Sequence, residues 1–431
     1  MAVCVEGTES LSAQENRRKM PGLAEEGEAL RWEYAYLIVL CVYTAAVLLP
    51  GTVLCQSSPV SDSLLKAVRY SCYAAAVVKI CHDVRTPKGL AATAILMAAG
   101  GLTAFCSGDR SILFIFIMMT AAAGTDAQRM LKCIFTVRTL ILLITVLLTE
   151  AGVTEDYLFD ATDRVRHSLG FTWTMLAPTV FLFVVMCYVN IRCERMTLVE
   201  VLLIGAVNIW LYEMTNTRSV MLVCMVYIVW TFLMGLRLRA KKRSTAGKEM
   251  PAQRPRRNWR MVLTAVPTLC CITAIALHAC YSPLNPVMEF LNRKLSGRLK
   301  LGYTAMGRYG ITWFGQPITW IGWSRRRVES LYNYVDSSYL QILLNMGIVM
   351  LCVIVFLYSY MIFRAVLENN LYMVLTLIMI CVLCMVEPRL AQPEFNPFLL
   401  LAFADDSRNS EVSGREQYLP RTWCGMNSQK S

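Results

Sequence analysis

Apolar stretches long enough to cross a bilayer recur along almost the whole chain, and they decide which solvent it folds in. A spanning helix needs about 20 mainly apolar residues, because in hydrocarbon every backbone N–H and C=O must be satisfied within its own helix. Candidate spans fall at 34–54, 64–82, 89–106, 111–124, 131–149, 172–190, 197–213, 219–236, 261–280, 338–362 and 371–387, with a short twelfth at 395–404. Hydrophobic residues fill 56% of the 431 positions and charged residues only 17%, a balance far from that of a water-soluble domain of this length. The expected fold is therefore an all-α integral membrane protein, a polytopic bundle of about 11–12 transmembrane helices with a large extracytoplasmic loop.

Three regions follow: a polar N-terminal segment 1–33, a membrane domain 34–404 and a polar tail 405–431. The first segment has no short apolar core followed by a small-residue cleavage site, so the first span reads as a retained anchor. The 17 cysteines are scattered through apolar runs and read as small core residues. Cys381 and Cys384 form a C-x-x-C inside an apolar helix, without the second pair or histidines that would complete a zinc site. No P-loop, G-x-G-x-x-G or H-E-x-x-H is present, so neither a metal nor another cofactor is expected, and no nucleic-acid partner.

Orientation follows from Lys and Arg in short loops, which stay in the cytoplasm. The segment 237–260 holds ten basic residues against the single Glu249, and Arg85 with Lys88 and Arg192 with Arg195 lie on the same side by parity. The N-terminus is then cytoplasmic, and the loops 55–63, 150–171, 214–218 and 281–337 lie outside. Loop 150–171 is acidic, as expected there. Loop 281–337 is basic, with Arg293, Lys294, Arg298, Lys300, Arg308 and Arg325 to Arg327 outnumbering Glu289, Glu329 and Asp336. Long loops translocate regardless of charge, and basic residues bind lipid phosphates; an anionic ligand is the sharper explanation.

Arg166, Arg218 and Arg298 each sit near the outer membrane boundary. Taken singly, each reads as snorkelling or helix-end decoration. Together they offer rigid, permanently charged donor forks that match phosphate oxygens. Asp336 precedes the tenth span, where it would either take a proton from a sugar hydroxyl or, with Ser337 and Ser338, cap the helix. Glu387 is an ionisable residue at the end of the eleventh span, with Arg218 or Arg298 as candidate partners. Arg138 lies inside the fifth span without an assigned role, and His167 and His278 read as structural. The loop aromatics, Trp313, Trp320, Trp323, Tyr332, Tyr334 and Tyr339, suit a membrane interface and equally the faces of sugars.

The stretch LSGRLKLGYTAMGRYGITWFGQPITWIG, followed by VDSSYLQILLNMGIV, resembles the large-loop signature of Wzy-like polysaccharide polymerases and O-antigen ligases. RHSLGFTW and TNTRSVMLV resemble the arginine-bearing segments that precede it in such proteins, in the same order. The resemblance implies a bacterial plasma-membrane enzyme that polymerises oligosaccharide repeat units carried on polyprenyl diphosphate, by metal-independent inverting transfer. It also implies contact with membrane lipids and with other polysaccharide assembly proteins. Arg166, Arg218 and Arg298 would bind the diphosphate and Asp336 would act on the acceptor hydroxyl, with Glu387 and Tyr339 in support. The ligase branch carries His–Asn where this chain has Asp336 and Ser337, which favours polymerase over ligase. A transporter or flippase for the same lipid-linked sugar is the alternative from another class.

Overall fold

A computed structural model describes residues 6–56, 59–83, 87–160, 165–245, 260–322 and 332–405. Most of the basic segment 237–260 and of the tail 405–431 lies outside the described residues, as do Trp323, Arg325, Arg326, Arg327 and Glu329. The helices are α1 (Glu6–Leu48), the single turn α2 (Val53–Gln56), α3 (Pro59–Asp83), α4 (Pro87–Ser107), α5 (Ser111–Ala121), α6 (Ala127–Glu150) and α7 (Leu176–Arg192). They continue as α8 (Leu198–Thr215), α9 (Arg218–Thr245), α10 (Val266–Ala279), α11 (Pro286–Lys294), α12 (Arg298–Tyr309), α13 (Ser338–Leu367) and α14 (Leu371–Leu383). A short antiparallel hairpin of β1 (Leu158–Asp160) and β2 (Val165–His167) joins them.

The architecture is that of an all-α polytopic membrane protein. Among the described residues, seven helical segments are long and apolar enough to cross a bilayer: Gly27–Gly51, Ala127–Glu150, Leu176–Arg195, Leu198–Thr215, Arg218–Ala240, Val262–Ala279 and Ser338–Leu367. Ala91–Ser107, Ser111–Ala121 and Leu371–Leu383 are apolar but shorter. The second expected span, 64–82, is helical within α3, where Lys79 is buried against Asp83 (2.6 Å) and the carbonyl of Ala123 (2.7 Å).

The last two expected spans differ from expectation. Helix α14 stops at Leu383, short of 387, and 395–404 holds only the 3-10 turn Phe398–Leu401. Pro388, Pro393 and Pro397 explain this, since each lacks an N–H and clashes with a continuing helix. Residues 384–405 instead follow α13 along its length as irregular backbone, from Ser338 at one end to Arg364 at the other. Such backbone is tolerated inside a membrane bundle only where its polar groups find partners in the protein. Tyr358 donates to the Leu390 carbonyl (2.8 Å), Arg364 to those of Ala402 (3.0 Å) and Ala404 (2.8 Å). Arg138, 1% exposed, donates to the carbonyls of Pro393 and Phe395, so it faces the interior and does not snorkel.

Helix α13 is broken at Gly347 (φ 86°, ψ 173°), and the segment 312–316 docks across the break. Ile348 N donates to Thr312 O (3.0 Å), Val349 N to Trp313 O (3.1 Å) and Gln316 N to Asn345 O (3.0 Å), replacing the lost helical bonds. A Cβ at Gly347 would stand 2.5 Å from Gly315 N and 2.6 Å from Trp313 O. Gly347→Ala should therefore cost about 1–3 kcal/mol in backbone strain alone, with the clash added. Denaturation in mixed micelles measures it, and an unchanged midpoint would mean the elbow is not docked.

Candidate functional site

Helices α11 and α12 meet at a tight turn in which Ser296 (φ 56°) and Gly297 (φ 82°) are both left-handed. The turn makes Arg298 the first residue of α12, an end where the helix dipole opposes a cation. Two carboxylates offset that. Arg298 Nε lies 3.3 Å from Asp336 Oδ2, and Nη1 lies 3.1 Å from Glu387 Oε1 while also donating to the Val386 carbonyl. Burial disfavours the guanidinium charge, but Glu387 and Asp336 outweigh it and hold the Arg298 pKa above its usual value.

Glu387 is the deepest member, with a side chain 1% exposed. Its Oε1 also accepts from Ser219 Oγ (3.0 Å), its backbone carbonyl accepts from Ser338 Oγ (2.6 Å), and its Oε2 is buried without a hydrogen-bond partner among the described residues. Of the two partners expected for it, the structure selects Arg298. The sequence signal was an ionisable residue at that depth in an apolar run, a position where a charge is usually paired.

Asp336 is not the cap of α13. Ser337 holds the N-cap position, without a side-chain cap bond, and Asp336 lies one residue earlier with its carboxylate turned to Arg298. Burial raises its pKa above the ordinary carboxylate value; Arg298 pulls it down, Glu387 pushes it up and Arg389 pulls it down, leaving a net rise. A carboxylate so placed is a better proton acceptor near neutral pH than a free one.

Beside this cluster lies a groove of about 360 Å³. One wall is the α12 face formed by Gly297, Lys300, Thr304 and Arg308, residues three or four apart and so stacked along one side. The other wall is Tyr332, Asn333 and Tyr334. Tyr332 feels the charges of both Asp336 and Arg298, which ties the groove to the cluster; burial, foremost, raises its pKa. Lys300 and Arg308 are exposed, and among the described residues neither is in an ion pair.

The other expected site residues are placed as follows. Arg166 sits on β2 and donates from Nε to the Thr215 carbonyl at the end of α8 (2.8 Å), where a cation suits the helix dipole. Arg218 is exposed at the start of α9 and makes no hydrogen bond or ion pair among the described residues; its neighbour Ser219 is the one that reaches Glu387. Tyr339 is fully buried and donates to the Cys381 carbonyl (3.1 Å), which ties α13 to α14 and keeps it out of the cluster.

Sequence reasoning passed over Arg389, which is 8% exposed, stacks on Phe395 (4.1 Å) and donates to Gln392 (2.7 Å). Its signal was the run Glu387–Pro388–Arg389, two opposite charges inside an apolar stretch. Lys300 and Arg308 were visible only as part of the loop's basic excess. No known family model, no curated protein and no solved structure matches the chain.

Proposed function

We propose that the chain joins oligosaccharide repeat units carried on polyprenyl diphosphate into a polysaccharide, at the outer face of a bacterial plasma membrane. The observation that carries this reading is a partly shielded Asp336, held by the buried Arg298–Glu387 pair and adjoining a groove with two tyrosines and two exposed cations, neither in an ion pair among the described residues. In the corresponding orientation this end faces outward and the basic segment 237–260 faces the cytoplasm.

In the proposed reaction a hydroxyl of the acceptor repeat attacks the anomeric carbon of the donor. The glycosidic bond forms as the bond to the diphosphate breaks, and the hydroxyl proton passes to Asp336. Negative charge gathers on the departing lipid diphosphate, where Lys300 and Arg308 would stabilise it. Tyr332 and Tyr334 offer ring faces for sugars. Arg298 would then be a positioning residue: both its carboxylate partners are already in place, so it orients Asp336 more than it binds phosphate. No nucleotide enters, because the donor lipid is already activated.

The irregular segment 384–405, with Arg138 inside the bundle, is the feature that favours a transporter for the same lipid-linked sugar. Purified protein in proteoliposomes with a synthetic diphosphate-linked repeat separates the readings. A ladder of products supports the polymerase, a single transferred unit the ligase, and movement of donor across the bilayer without a new bond the transporter. A charge-assisted contact is worth about 1.5–3 kcal/mol, so Lys300→Ala and Arg308→Ala should each lower kcat/KM at least about tenfold. Unchanged kinetics would remove the groove from the diphosphate site.

A further inference from the structure

Helix α11 presents an apolar face that none of the described residues covers. Leu284 just before it and Val287 and Phe290 within it are 92%, 63% and 56% exposed. Its other side is committed: Asn292 is buried, with Oδ1 accepting from Lys300 N (3.1 Å), and Glu289 accepts from Tyr281 (2.8 Å). The last turn is basic, with Arg293 three-quarters exposed and Lys294 Nζ 5.5 Å from the Phe290 ring centroid. The preceding span, α10, exposes Leu269 (57%) and Ile272 (59%) as a lipid-crossing helix does, and the chain leaves its end at Ala279 to enter α11 at Pro286.

We propose that α11 is a membrane-surface anchor, lying in the leaflet interface with Leu284, Val287 and Phe290 in the acyl region and Arg293 and Lys294 on anionic lipid phosphates. A short helix with an apolar stripe and basic residues at its edge takes this position because both surfaces are satisfied there at once. The bond from Asn292 to the first turn of α12 makes the anchor consequential, since it links the depth of α11 to that of Lys300 and the groove. The inference does not depend on what the groove binds.

The test uses the full chain in nanodiscs, with a keto-bearing residue placed singly at 284, 287, 290 or 294 and coupled to a nitroxide, which avoids the native cysteines. Oxygen should relax the label more than a water-soluble nickel chelate does at 284, 287 and 290, and less at 294. Equal or greater chelate access at the first three positions overturns the proposal, as does spin–spin broadening that disappears on dilution with unlabelled protein and so marks a second copy on this face. Raising the phosphatidylglycerol fraction should drive the label at 287 deeper in the wild type but not in Arg293→Gln/Lys294→Gln. The same deepening in that double variant would overturn the role given to the basic pair.

Discussion

Arg298→Ala is expected to destabilise the protein by about 3–5 kcal/mol, the range for removing one partner of a buried ion pair, against about 1 kcal/mol for an average substitution. The cost arises at Glu387. Its side chain is 1% exposed, and without Arg298 the carboxylate keeps, among the described residues, only Ser219 as a hydrogen-bond partner while Oε2 has none. The Val386 carbonyl loses a donor in the same step. Breaking the pair and replacing it are different operations, however: two neutral groups of similar volume can be as stable as a buried ion pair, because neither carries a desolvation penalty. Arg298→Met combined with Glu387→Gln should therefore be less damaging than Arg298→Ala alone. Unfolding in mixed micelles for both single variants and the double gives the coupling, and strictly additive effects would show that the pair is not coupled. The cycle is also the control that any activity loss at Arg298 requires, since a positioning residue and a folding residue would look alike in a product ladder.

The sequence made the membrane bundle legible because length and apolarity are local properties, readable without knowing what lies opposite. It did not show where the last helix ends. The apolar run through 371–387 looks continuous on hydropathy, yet Glu387 and Pro388 end helical pairing, and the chain returns as irregular backbone whose carbonyls are met by side chains of α6 and α13. Arg138 shows the limit most clearly. Its charge inside a span was visible, but its acceptors lie 255 and 257 positions away, and no local pattern reports such a distance. The candidate site was legible to the same degree. Parity put Arg298, Asp336 and Glu387 at one end of the bundle, and three-dimensional packing then chose Arg298 over Arg218 as the partner of Glu387. Packing also separated Asp336 from the helix cap, a choice that the run Asp336–Ser337–Ser338 leaves open because all three are good capping residues.

Asp336→Asn should lower the rate of repeat addition by about 10²–10⁴-fold, the usual contribution of a positioned general base, with little change in folding. The substitution keeps the size of the side chain and leaves the Arg298–Glu387 contact in place, so loss of the ladder could not be assigned to collapse of the cluster. The pH dependence gives a sharper separation. With its pKa raised by burial and by Glu387, Asp336 becomes a competent base only as pH rises through a value above that of a free aspartate, so activity should fall on acidification at a higher pH than a free aspartate would give. Stability should run the other way over that interval. The stability that a neutral, buried Asp336 contributes is fully present below the unfolded pKa of about 3.9 and is lost as pH rises through the raised folded value. Removing the positive charge of Arg389 with Arg389→Gln should push the acid limb of activity further up, because that charge holds the carboxyl down. Rate and stability measured across the same pH series should thus cross in the wild type, and both Asp336-dependent trends should be lost in Asp336→Asn. Should Asp336→Asn still build the full ladder with the wild-type acid limb, the base lies elsewhere and Asp336 serves only to hold Arg298.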